Sequence, residues 1–234
     1  MKTRTVRILL SIFTLLGLLI SPISALAESN PRGLSDKLPK AAASNTAVGI
    51  LAAEEEDIFA AIDLGVPWLV AQQGTNGSWG SELGYTGFGV VKLLEYAYEH
   101  GISPFDPSYD YYANIIAGLD YILSRASVST CGDGIVFAAG SHETYSTGVA
   151  MMALAATQAP GMVISSTNPV VDGLTYQQLL QENVDYFVCA QNPDGGWRYW
   201  WQDTSSDNSN TGYATLGLRY AEDFGVPIPQ SLKD

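Results

Sequence analysis

From Asp57 onward, apolar residues recur at helical spacing in three similar stretches. Val90, Leu93, Leu94 and Ala97 fall at i, i+3, i+4 and i+7; so do Val149, Met152, Ala153 and Ala156, and again Tyr213, Leu216, Gly217 and Tyr220. That spacing puts each set on one face of a helix. Each stretch opens on a Thr-Gly pair, Thr86-Gly87, Thr147-Gly148 and Thr211-Gly212. A further helical segment precedes each one, over 57–73, 109–126 and 175–191. The pattern therefore predicts three helix-loop-helix units in tandem, an all-α domain over 57–234. Pro67 must start, kink or interrupt the first segment, because its ring removes an amide donor and crowds the turn before it.

The junction inside each unit is more specific. In the first, Gly65-Val66-Pro67-Trp68-Leu69 is followed after three residues by Gln73, and after three more by Gly77-Ser78-Trp79. In the third, Tyr186-Phe187 leads at the same spacing to Gln191 and Gly195-Gly196-Trp197, with Asn183 replacing the first glycine. The second keeps Gly118-Leu119-Asp120-Tyr121-Ile122 and Gly132-Asp133-Gly134, but has Ala126 where glutamine is due and no tryptophan. These junctions resemble the QW motif of the squalene and oxidosqualene cyclases, loosened forms of which occur across the terpenoid cyclase and protein prenyltransferase toroids. The resemblance spans about 57–225. It implies an α/α toroid-like arc of about three helical hairpins, a partial or open α/α barrel. Within it, the Gln amide is expected to satisfy free carbonyls at a helix end, with the Trp face laid over the Gln. Gln73, Trp79, Gln191 and Trp197 are thus expected to be structural staples and not ligand contacts.

The chemistry of the resembling families finds no counterpart here. The chain contains no D-x-D, so it lacks the D-x-D-D acid of class II cyclases, and it has no D-D-x-x-D. Zinc prenyltransferases use an Asp, a Cys and a later His, whereas His100 and His142 both precede Cys189. The thioester-containing toroids need Gly-Cys-Gly-Glu-Gln; Cys131 sits in Ser129-Thr130-Cys131-Gly132-Asp133. Neither a cofactor nor a bound metal is expected. Other α/α toroids cleave polysaccharides with paired carboxylates and aromatic platforms. On that model the divergent second unit offers Asp133, His142 and Glu143 as catalytic candidates, although loop drift explains its divergence equally well.

An acidic residue stands four positions before each threonine: Glu82, Glu143 and Asp207. There it meets the positive end of a helix dipole, either as a cap or as part of a carboxylate ring able to hold a cation. The run Trp197-Arg198-Tyr199-Trp200-Trp201 carries three aromatics beyond the expected staple. Tyr199, Trp200 and Trp201 either expose a patch for a sugar, lipid or protein, or pack over the open end of the arc.

The ends and the charge narrow the setting. Lys2, Arg4 and Arg7 precede an apolar run from Ile8 to Ile20, and Ala25-Leu26-Ala27 fits a cleavage site, so 1–27 reads as a secretory signal. An uncleaved membrane tether is the rival reading. Residues 28–56, rich in Ala, Ser, Asn, Pro and Glu, read as a flexible leader. Without the signal, 8 basic residues face 24 acidic ones, a net charge of −16, which repels nucleic acid and anionic lipid. Cys131 and Cys189 in an exported chain either pair or remain buried thiols. The sequence thus points to an exported binding protein, with a protein or glycan as partner. A carbohydrate-active enzyme and a fragment of a larger cyclase-like protein are the alternatives, and three hairpins could also form half of a homodimeric ring.

Overall fold

The computed structural model describes residues 55–138 and 142–233; the expected signal segment and nearly all of the leader lie outside them. Each unit contributes one pair of helices. The first unit holds α1 (Glu55–Ala71) and α2 (Leu83–Glu99). The second holds α3 (Tyr112–Ser124), a ribbon of β1 (Ala126–Val128) and β2 (Ile135–Phe137), and α4 (Glu143–Ala156). The third holds α5 (Tyr176–Ala190) and α6 (Asn208–Phe224), and a 3-10 turn follows at Gln230–Leu232. Pro67 is carried inside α1. Thr175 starts α5 with a capping box, its hydroxyl accepting from the Gln178 amide while Gln178 reaches back, and Gly225 ends α6 at φ 98°.

Helix α4 is the axis of the fold. Val149, Ala150, Met151, Met152, Ala153 and Leu154 run round its whole circumference, and all are buried. A helix apolar on every side must be enclosed, and α2, α5, α6 and β2 pack round it. Close approach to its two helical neighbours depends on the Thr-Gly pairs. A methyl at Gly87 would strike the Val149 side chain, and one at Gly148 would strike the Tyr213 carbonyl.

The threonines of these pairs have one shared task. Thr86 Oγ1 accepts from the Trp79 amide, Thr147 Oγ1 from the Phe137 amide and Thr211 Oγ1 from the Trp197 amide, each at 3.0 Å. Phe137 therefore stands where the other units have tryptophan. This corrects the expected helix over 109–126, which ends at Ser124 and gives way to an antiparallel ribbon pairing Ala126 with Phe137 and Val128 with Ile135. Leu119, Ile122, Leu123 and Ala126 continue a helical period and conceal the break. A Thr147→Val variant keeps the shape but strands the buried Phe137 amide. It should lose about 2 kcal/mol of unfolding free energy by urea titration.

The staple is also wired differently from expectation. The indole N–H, and not the glutamine, reaches the last helical turn: Trp79 Nε1 donates to the Leu69 carbonyl at 2.7 Å and Trp197 Nε1 to that of Phe187 at 3.0 Å. Each glutamine instead holds the reversing loop, with Gln73 Nε2 donating to the Gly77 carbonyl and Gln191 Nε2 to that of Gly195, both at 2.9 Å. Gln73 also exchanges hydrogen bonds with Asn114 of the next unit. The indole suits the reach back to the helix end because its donor sits at the edge of a rigid ring.

The two ends of the helix array differ. On α6, Arg219 pairs with Glu222 and Asp223, Lys233 pairs with Glu222, and Thr215 is exposed, which makes a polar cap. On α1, Leu64 and Trp68 are 80% and 66% exposed. No helix among the described residues is long and apolar enough to cross a membrane.

Candidate functional site

The starts of α2, α4 and α6 lie beside one another, because α4 packs between the other two. Side chains from these starts and from the loop after Trp197 form one aromatic rim. His142 precedes α4 in a left-handed conformation, φ 50° and ψ 43°, which costs a non-glycine residue about 1 kcal/mol and is tolerated best by Asn, Asp and His. The bend points its ring across the unit boundary, where Nδ1 lies 4.0 Å from a Glu82 carboxylate oxygen. On its other side the ring lies 4.9 Å from that of Tyr199, and Tyr199 lies 6.0 Å from Trp200. The row Glu82, His142, Tyr199, Trp200 thus draws on all three units.

Behind it stands a second, more buried group. Tyr145 meets Tyr213 edge to face at 4.5 Å, and Tyr213 meets Phe88 at 6.1 Å. Burial, with Tyr213, Tyr85 and Glu82 nearby, pushes the Tyr145 hydroxyl up to about 12, and burial also raises that of Tyr213. Both therefore stay protonated and can donate as well as accept. Tyr85 at 56% and Trp200 at 41% are exposed, and so is His142.

The loop is fixed from both sides. The Thr144 amide donates to the Tyr199 carbonyl, and the Trp200 amide to Asp203. Trp201 turns the other way, donating from Nε1 to Thr130 Oγ1 at 2.9 Å. Thr130 neighbours Cys131, which is disulfide-bonded to Cys189 in the last turn of α5. Trp201 is therefore braced at its indole edge, while Trp200 is left exposed.

The three catalytic candidates take different positions. Asp133 lies at the ribbon turn, where its charge acts on Glu182 of α5, and together with Asp185 it helps to raise that carboxyl, behind the larger effect of burial. Glu143 is buried at the first turn of α4, where its charge bears on Tyr186. His142 reaches the rim, where Glu82 lies beside it. The three acidic helix starts also diverge. Asp207 caps α6 by accepting from the Asn210 amide, Glu82 makes no cap hydrogen bond, and Glu143 sits one position inside α4. Among the described residues no group of three or more His, Cys, Asp or Glu side chains is placed to hold a metal.

Glu82, Tyr85, Tyr145 and Tyr213 were not foreseen as one site. Each lies within four residues of a Thr-Gly pair, which is the signal that could have found them.

No protein-family model, curated protein or solved structure matches this chain. What bears on function is the rim itself.

Proposed function

We propose that this is an exported α/α toroid-like protein, built on the hairpin repeat of the squalene cyclase and prenyltransferase toroids, which binds an extracellular carbohydrate on its aromatic rim without converting it. One observation carries the reading: the row of Glu82, His142, Tyr199 and Trp200, exposed except at the half-buried Tyr199, with the exposed Tyr85 nearby. Flat rings offer the apolar faces of a sugar a large contact at small entropic cost, and the carboxylate, imidazole and tyrosine hydroxyls supply hydrogen bonds for its edges. Glu82 and the acidic surface favour a neutral or basic sugar over a uronic or sulfated one.

The reading is tested by retention of the 28–234 chain on immobilised cellulose, starch and chitin. Trp200→Ala and Tyr199→Ala should each weaken retention about tenfold or more, with helical circular dichroism unchanged. Retention on none of the three, or retention indifferent to both substitutions, contradicts it. Capture of a protein that competes with neither substitution would favour a protein partner instead.

A second reading, a polysaccharide-cleaving enzyme, draws on the strained His142 held beside Glu82. Release of new reducing ends from any of these polymers, lost in His142→Ala, would favour it over binding alone.

A further inference from the structure

Asn76 is the one asparagine in the chain that a glycine follows. It stands in the loop that reverses the chain after α1, exposed itself but followed by the buried Gly77 and Ser78. The Gly77 amide donates to the Gly74 carbonyl at 2.9 Å, and the Gly74 amide to that of Ser78 at 2.8 Å. Oδ1 of Asn76 accepts from the Ser78 amide at 3.2 Å and from the Ser78 hydroxyl at 2.9 Å. Asparagine favours such a turn because its side-chain carbonyl reaches the amide two residues on.

The third unit builds the same loop with a different side chain. There the Gly195 amide donates to the Asn192 carbonyl at 2.8 Å, and the Asn192 amide to that of Gly196 at 2.9 Å. Gly77 and Gly195 take nearly the same φ, 85° and 86°. The place of Asn76 is held by Asp194, whose Oδ1 accepts from the Gly196 amide at 3.5 Å. One turn thus carries a carboxylate where the other carries a carboxamide.

An asparagine before glycine is open to attack by its own backbone, because the following residue has no Cβ to shield its nitrogen. That nitrogen bonds to Asn76 Cγ, the Cγ–Nδ2 bond breaks, and ammonia departs with the Gly77 amide proton, leaving a five-membered succinimide. Water then opens the ring. Addition at Cγ gives aspartate; addition at the main-chain carbonyl of residue 76 gives isoaspartate, with one extra carbon in the backbone. We infer that Asn76 is a self-modification site of the first staple: it deamidates when its loop opens, its aspartate product restores the loop, and its isoaspartate product does not.

The closed loop holds both reacting groups, since the Gly77 N–H is engaged by Gly74 and the Asn76 carbonyl by Ser78. Aspartate fits because Asp194 already fills the equivalent turn. Isoaspartate does not, because Gly77 has no room to shift. A Cβ placed on it would meet the Ala117 carbonyl oxygen at 2.1 Å, and its own carbonyl accepts from Gln73 Nε2. Displacing Gly77 therefore releases Gln73, which ties the first unit to Asn114 of α3.

Fragment masses of the purified chain, followed over time at pH 8 in native buffer and in urea, test the inference. The fragment containing Asn76 should be the first to exchange an amide for a carboxyl, about tenfold or more faster in urea than in the fold. Equal rates in the two conditions, another asparagine reacting first in urea, or no conversion in urea overturns the proposal. The urea products are then returned to native buffer and the two isomers separated. Chains with aspartate at 76 should regain wild-type protection of the α1 amides from hydrogen exchange, whereas isoaspartate chains should be about tenfold less protected there. Asn76→Asp, made directly, should melt within a few degrees of the wild type. A much lower melting temperature for that variant, or full protection of α1 in the isoaspartate chains, equally overturns it.

Discussion

Replacing Trp197 by alanine is expected to remove about 4 kcal/mol from the unfolding free energy, the largest effect of any single substitution in this chain. Three losses coincide at that residue. The ring is 1% exposed and meets Phe187 edge to face at 5.8 Å, so its removal opens a cavity in the core. Its indole N–H is the donor that satisfies the Phe187 carbonyl in the last turn of α5. Its backbone amide is the anchor of Thr211 at the start of α6, and the cavity frees that loop to move. Gln191→Ala should cost far less, about 1 kcal/mol, because its amide holds only the exposed Gly195 carbonyl. Urea titration followed by far-ultraviolet circular dichroism gives both numbers. Equal losses for the two variants would show that the glutamine carries the staple after all.

Removing the disulfide with Cys131→Ser and Cys189→Ser together is expected to cost about 4 kcal/mol, on the chain-entropy estimate for a cross-link of 58 residues. The location of the bond sharpens this prediction. It ties the ribbon turn of the second unit to the last turn of α5, and Trp201 binds Thr130 next to it. Beyond lowering the melting temperature, the double variant should therefore loosen the Tyr199 and Trp200 loop before the helices melt. Tryptophan fluorescence rising ahead of the loss of helical signal would report that order. A single coincident transition at the wild-type temperature would show that the bond contributes neither stability nor loop order.

Much of the repeat was legible because it is written in local spacing. The Thr-Gly pairs, the helical apolar positions and the Gln-to-Trp interval each operate within a few turns, and apart from the second unit's first helix, cut short by the ribbon, the helices lie close to where these signals put them. Phe137 escaped notice because its role, donating its amide to Thr147, is a backbone bond that a phenylalanine fills as well as a tryptophan. Trp200 and Trp201 are indistinguishable in sequence. Only the position of Thr130, contributed by another unit, makes one a brace and leaves the other exposed. The same limit applies to the rim, whose row crosses all three units: Glu82 and His142 are 60 residues apart in sequence, and no local pattern announces their contact. Lys92, Glu95 and Glu99 illustrate the opposite hazard. Their spacing reads as a solvated stripe, and only the folded chain shows the Lys92 ammonium and the Glu99 carboxylate to be buried.

The rim is the claim on which the functional account depends, and one measurement addresses it without altering the protein. Two-dimensional NMR spectra of the 28–234 chain, recorded while cellohexaose, maltohexaose or chitohexaose is added, locate any bound sugar by the resonances that move. The account predicts that the Trp200 indole, the His142 ring and the backbone of Tyr85 and Tyr199 shift together, saturating with one of the three. Shifts confined to Leu64 and Trp68 on α1, or spectra unmoved by every sugar, would contradict it.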